Sequence, residues 1–297
     1  MCSSDLYFML LSVAIDIGLN PVFIFGLGPA PKLGIAGSAL ATFVAQAVSL
    51  TALISHLYRR RHLLVLHKDE LGMLRVDWSI VGILVRKGIP MSAQMLVLSL
   101  SGVLMIALVN RFGVDTAAAF GAALQIWNYI QMPAFAVAMG LSAMTAQNVG
   151  AGKWDRVART AHVGVLYSVL LTGSIVALLE LLDTRVYALF LPEGSGALAI
   201  AGHLNRIATG SFIFFGVSVA LFGVVRAAGA VIAPLAILSV ALLAVRFPLA
   251  ELLLERYRAD AIWWSFPVSS ALAATLALLY YRHGSWRHAH MMSAVKP

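Results

Sequence analysis

Charge is scarce in this chain. Of 297 residues, 21 are Lys or Arg and 13 are Asp or Glu, 11% together, where a soluble domain carries roughly 25%. So few polar groups cannot cover long apolar runs in water, which excludes an ordinary soluble enzyme. Cysteine is almost missing: Cys2 stands alone, so no intramolecular disulfide framework can form. No His and Glu have the spacing of a zinc-binding helix. Gly26-Leu27-Gly28 lacks both the third glycine and the preceding strand of a dinucleotide loop. Basic residues are not interleaved with aromatics as a nucleic-acid surface requires. Neither cofactor, metal nor nucleic acid is therefore expected, and no enzymatic chemistry.

Apolar length is what the chain has in abundance, with 61% of residues hydrophobic. A membrane helix needs about 20 such residues. Eight stretches meet this, over about 7–26, 34–56, 80–109, 117–147, 163–182, 207–225, 232–254 and 261–281. The third and fourth exceed one crossing and are expected to tilt or to extend into water. The fold class is thus all-α, a polytopic protein of the lipid bilayer with about eight transmembrane helices. Arg59, Arg60, Arg61, Lys68 and Arg75 fall between the second and third spans, and Lys153, Arg156 and Arg159 follow the fourth. Arg282, Arg287 and Lys296 follow the eighth. Basic residues next to spans favour the cytoplasm, so both termini are predicted inside, in the cell inner membrane.

Proline and glycine punctuate the spans. Pro21 removes a backbone donor inside the first and predicts a kink. Gly34, Gly37 and Ala41 open the second span with small residues three and four apart, a smooth face for close helix packing. Pro90, Pro133, Pro234 and Pro248 interrupt later spans, and irregular backbone at such depths can line a cavity. Gln147, Asn148, Gly150 and Gly152 mark a reversal after the fourth span, with Asp155 a candidate helix cap.

Polar residues inside spans are the candidate site. Asp16 is the acidic residue near the middle of a span; it suits ion or substrate contact, or a local bond to Asn20 one turn on. The fourth span holds the densest cluster, Gln125, Trp127, Asn128, Tyr129 and Gln131. Its rings could stack on a flat organic cation, and its amides could line a cavity or bridge helices. Gln94 is the matching amide in the third span. Arg246 is costly toward lipid and is expected to snorkel or to find a partner on another helix. Glu251, five residues on, is poorly placed to share its face.

Four segments carry a family resemblance. Residues 20–46 contain Asn-Pro-Val-Phe-Ile-Phe-Gly-Leu-Gly-Pro, then Leu-Gly-Ile-Ala-Gly-Ser-Ala-Leu-Ala-Thr-Phe-Val-Ala-Gln; residues 146–159 read Ala-Gln-Asn-Val-Gly-Ala-Gly-Lys-Trp-Asp-Arg-Val-Ala-Arg. Gly88, Pro90, Asn110, Arg111, Gly113 and Ala118 form the third, and Pro234, Arg246, Pro248 and Leu249 the fourth. In this order they resemble the multidrug and toxic compound extrusion (MATE) family, whose members have twelve helices in two six-helix bundles. The resemblance starts at the family's fifth helix, which implies a fragment lacking the first four. It implies that 1–57 is the C-terminal part of the first bundle and 58–79 a cytoplasmic basic linker. Residues 80–283 would be the second six-helix bundle and 284–297 a polar tail.

The resemblance also implies antiport of small organic cations or drugs against Na⁺ or H⁺ by alternating access. The acidic residue usually assigned to coupling in the family's first helix would lie outside the chain. The stretches 80–109 and 207–225 lack the carboxylates that some members carry there. Two alternatives stand beside this reading. One is a lipid-linked oligosaccharide flippase of the same superfamily, which would want several basic groups in its cavity. The other is a non-transporting truncated remnant.

Overall fold

The computed structural model describes residues 2–27, 31–60, 65, 76–182 and 184–289. Arg61, Lys68, Arg75, His290 and Lys296 lie outside the described residues. Eight helices there are long and apolar enough to cross a membrane. The chain divides into two compact units, Met1–Val76 and Asp77–Pro297.

The first unit pairs α1 (Cys2–Phe25) with α2 (Ile35–Arg59). Helix α1 runs through Pro21 without a break. Gly34 starts α2 with φ 56°, a conformation that favours glycine. The buried residues of α2 are Gly37, Ala41, Ala45 and Ser49, spaced four apart on one stripe. A side chain at Gly37 would run into the carbonyl of Phe23, so the small-residue face does permit close backbone approach there. Ser49 Oγ donates to the Phe8 carbonyl at 2.5 Å.

The second unit holds six of the stretches long and apolar enough to cross a membrane. It contains α3 (Trp78–Val109), α4 (Val114–Gly150), α5 (Trp154–Leu182), the short α6 (Thr184–Tyr187) and α7 (Gly196–Ala208). Helix α7 leads through a tight turn at Thr209–Ser211 into α8 (Phe212–Ala227). Helix α9 (Ile232–Leu238), a π-helical segment (Ser239–Arg246) and α10 (Phe247–Tyr257) make one broken span, and α11 (Ala259–His283) is the last. The spans expected at 163 and 207 begin at Trp154 and Gly196 instead. Arg156, Arg159 and Asn205 lower hydropathy there without interrupting the backbone ladder, so the helices outlast the apolar signal.

Local chemistry explains the ends. Asp77 caps α3: its carboxylate accepts from Ser79 N at 2.8 Å and from Ser79 Oγ at 2.7 Å. These bonds hold its pKa below the usual carboxylate value. After α4 the chain turns at Gly152, φ 69°, whereas Gly150 is the last helical residue of α4. Asn148 Nδ2 donates to the Met144 carbonyl at 2.8 Å, and Gln147 is exposed. Asp155 sits in the first turn of α5, where a negative charge suits the helix dipole.

Helices α8 and α4 also approach closely. A Cβ on Gly223 would stand 2.6 Å from the Ala138 carbonyl oxygen. The core nearby is aromatic: Trp127 lies 4.9 Å from Phe266 and 5.2 Å from Phe212, ring centre to ring centre. Beyond α11, Trp286 folds back, buried, stacks on Tyr281 at 5.1 Å and donates to its carbonyl at 2.7 Å.

Candidate functional site

The second unit contains a partly open cavity of about 770 Å³, within the size range of small-molecule sites. Helix α4 contributes Leu124, Trp127, Gln131, Phe135, Ala138 and Ser142 to its wall. Their spacing of three and four puts them on one stripe. Helices α3, α8 and α11 and the broken span close the other sides with Gln94, Phe212, Phe222, Arg226, Arg246 and Phe266, among others.

Trp127 is held rather than free to swing. Its indole Nε1 donates to Thr209 Oγ1 at 3.4 Å. Thr209 donates in turn to Asn205 Oδ1 at 2.7 Å, which also accepts from the Tyr187 hydroxyl at 3.1 Å. Asn205 and Thr209 are fully buried. This chain of polar groups fixes the junction of α7 and α8 against α4, and holds Trp127 in the wall. Gln131 Nε2 donates to the Trp127 carbonyl at 3.2 Å. Gln94 is buried, and its Oε1 has no hydrogen-bond partner among the described residues.

Arg246 ends the π-helical segment. Pro248 has no N–H to offer the carbonyl of Ala244, and a widened helical turn just before it accommodates that loss. The result aims Arg246 at α11. Its Nε donates to Ser269 Oγ at 2.7 Å, one terminal nitrogen reaches Ser270 Oγ at 3.5 Å, and its Cζ lies 4.5 Å above the Phe266 ring. Arg226 also lines the cavity, its Nε donating to the Phe222 carbonyl at 3.1 Å. The lining contains these two guanidinium groups and, among the described residues, no Asp or Glu.

The structure therefore brings Gln94, Trp127, Gln131 and Arg246 to one cavity. Gln125, Asn128 and Tyr129 sit on the other side of α4 and are exposed. In a helix, a cluster contiguous in sequence is spread around the axis, so only part of it can face one cavity. Asp16 and Asn20 belong to the first unit. The Asp16 carboxylate accepts from Thr42 Oγ1 at 3.0 Å, while Asn20 donates to the Asp16 carbonyl at 3.1 Å and not to the carboxylate. Arg246 does find its partners on another helix. Glu251 pairs with Arg111 at 3.0 Å instead.

Sequence reasoning missed three features. Arg226, which by position is a basic residue just past a predicted span, lines the cavity. Ser269 and Ser270 receive Arg246, and the stripe of Ser265 and Ser269 in an apolar span was the available signal. The Tyr187–Asn205–Thr209 chain joins residues too far apart in sequence to be paired by spacing.

The MatE family model matches residues 90–252. The probable multidrug resistance protein YoeA of Bacillus subtilis is 32% identical over 278 residues, covering 93% of this chain and 60% of that protein. The probable multidrug resistance protein YpnP of the same organism is 28% identical over 285 residues, covering 96% and 62%. The solved structure of the Vibrio cholerae MATE transporter VcmN in the bent form superposes with a TM-score of 0.78 at 20% identity, covering 94% of this chain and 61% of that one. The chain thus spans about three fifths of the length of the relatives it matches.

Proposed function

Because this chain belongs to the MatE family, we propose that it acts in a secondary transporter that exports amphipathic organic molecules in exchange for Na⁺ or H⁺. Residues 1–57 would be the last two helices of one six-helix bundle, 58–79 the cytoplasmic linker and 80–283 the complete second bundle. Both termini would face the cytoplasm from the cell inner membrane. The observation that carries this reading is the 770 Å³ cavity inside a six-pass unit, walled on one side by a span interrupted at the π-helical segment and Pro248. Interrupted spans around a central cavity are the parts that alternating access uses: two arrangements of the helices open the same site to opposite faces, and ion binding biases one of them. The similarity to YoeA and YpnP, both named as probable multidrug resistance proteins, supports drug-like organic cargo.

A cationic cargo, the one implied by the family resemblance, needs a counter-charge. The described lining of this cavity supplies none, so Asp16 is the mid-span carboxylate of this chain to which coupling or cation contact is assigned. Its half-buried carboxylate, hydrogen-bonded by one hydroxyl, is the negative group this reading assigns to the coupling ion. The flippase alternative draws on Arg226 and Arg246, but a pyrophosphate-linked sugar asks for more basic groups than two.

The test is flux in proteoliposomes containing the 297-residue chain. A fluorescent organic cation is expected to move when an Na⁺ or H⁺ gradient is imposed, and Asp16→Asn is expected to remove the ion dependence. Flux that keeps its ion dependence in Asp16→Asn refutes the coupling assignment. No flux under either gradient refutes transport by this chain and favours the non-transporting remnant.

A further inference from the structure

We propose that the cavity of residues 77–297 binds the acidic group of an amphipathic organic anion, with Arg246 as its direct partner and Arg226 as a second positive charge. The proposal rests on the transporter reading for its purpose, but its chemistry stands on the cavity itself. Arg246 carries five N–H donors. One is taken by Ser269 at 2.7 Å and one reaches Ser270 at the limit of hydrogen bonding, 3.5 Å. Ser269 is itself a donor to the Ser265 carbonyl at 2.6 Å, so it meets Arg246 as an acceptor. These hydroxyls orient the guanidinium and leave its charge in place.

No carboxylate of the described residues compensates that charge. Glu251, the nearest in sequence, is engaged by Arg111 at 3.0 Å. An uncompensated guanidinium in a membrane-spanning unit is costly, and an anionic ligand is what relieves it. The Arg246 Cζ lies over the Phe266 ring, 4.5 Å from its centre. The guanidinium edge remains for a two-pronged bond to a carboxylate, sulfonate or phosphate. Arg226 lines the same cavity and adds charge of the same sign in a low-dielectric space. Trp127, Phe212, Phe215 and Phe222 offer an apolar wall for the body of the ligand.

A matched pair of fluorescent probes tests this. Dansylglycine and the mono-dansyl derivative of ethylenediamine share one ring system and carry a carboxylate and an ammonium, respectively. Their binding to the full chain is measured by dansyl emission in nanodiscs of zwitterionic lipid. Dansylglycine is expected to bind at least about tenfold more tightly, a difference of about 1.4 kcal/mol. Arg246→Gln is expected to weaken it about tenfold or more, and Arg246→Lys by less, because the point charge survives without the fork. Arg226→Gln is a second variant at the end of α8, for use should Arg246→Gln fail to fold, with an expected loss of about threefold. Equal or tighter binding of the ammonium, or dansylglycine affinity unchanged in folded Arg246→Gln and Arg226→Gln, overturns the proposal.

Competition separates the sources of the acid. Displacement by dihexanoylphosphatidate at lower concentration than by unlabelled naphthalenesulfonate assigns the site to a lipid phosphate; the reverse order assigns it to a free organic acid. Both orders uphold an anion site. Anion-selective binding without gradient-driven flux upholds this site and refutes the transporter reading. Flux of the dansyl ammonium with no preference for dansylglycine does the opposite.

Discussion

Gly223→Ala is the sharpest test of the packing that shapes the cavity. Gly223 in α8 faces α4 so closely that an added Cβ would stand 2.6 Å from the Ala138 carbonyl oxygen and 3.3 Å from the Ala138 Cα. Ordinary contact begins near 3.4 Å, so the two backbones must part by roughly 0.8 Å locally. A backbone carbonyl in the middle of a helix cannot swing aside as a side chain can. Overpacking of this kind costs about 1–3 kcal/mol, offset in part by up to about 1 kcal/mol from the better helix propensity of alanine. The net expectation is a loss of about 1–2 kcal/mol, or roughly 2–8 °C in melting temperature for a unit this size. The measurement is thermal unfolding in one detergent, with Gly121→Ala as the control. Gly121 is also in α4, and a Cβ there meets nothing within 4 Å, so its variant is expected to melt at or slightly above the parent temperature. If Gly223→Ala melts with the control, the close approach of α4 and α8 is not a determinant of stability and the reasoning fails.

Asn205→Leu is expected to leave the buried Thr209 hydroxyl without its acceptor, at about 1–3 kcal/mol. Tyr187→Phe removes a donor together with its need and should cost about 1 kcal/mol; a milder melting shift for Asn205→Leu than for Tyr187→Phe would contradict the network. Asp77→Ala removes the cap of α3 and should speed amide exchange in the first turn at neutral pH. The folded pKa of Asp77 is depressed by its bonds to Ser79, so the capping contribution is present above the ordinary value of 3.8 and fades as pH falls through the lower folded value. Parent and variant should therefore converge in acid, and a difference that persists well below that window would rule out the carboxylate as its source. Trp127→Phe keeps a ring in the wall but loses the donor to Thr209; a loss of about 1 kcal/mol in thermal unfolding is expected, and no change would show that the bond does not hold the ring.

Much of the fold is legible in the sequence, and the reason is the solvent. In a bilayer each spanning segment must satisfy its own backbone hydrogen bonds, so length and apolarity alone mark the helices. The stretches read at 232–254 and 261–281 become Ile232–Tyr257 and Ala259–His283. Where the reading stopped short, at Trp154 and Gly196, polar residues had interrupted the hydropathy but not the helix. The site was legible only in part. Arg246 stood out because a guanidinium in an apolar span needs a partner, yet the partners, Ser269 and Ser270, lie on the next helix. Arg226 was hidden by its position near the end of a span, where a basic residue ordinarily marks topology.

The sequence by itself determined that this chain is a set of membrane helices, where they lie to within a few residues, and which family it resembles. Those properties follow from composition along the chain. Only tertiary structure decided which side of each helix meets the cavity. Five polar or aromatic residues crowd between 125 and 131, yet Trp127 and Gln131 turn inward while Gln125, Asn128 and Tyr129 do not. A helix advances about 100° per residue, so neighbours in sequence point apart, and the face that is buried is chosen by the helices packed against it. The same packing sets the sign of the cavity, by gathering two arginines from different spans into a wall with no carboxylate among the described residues.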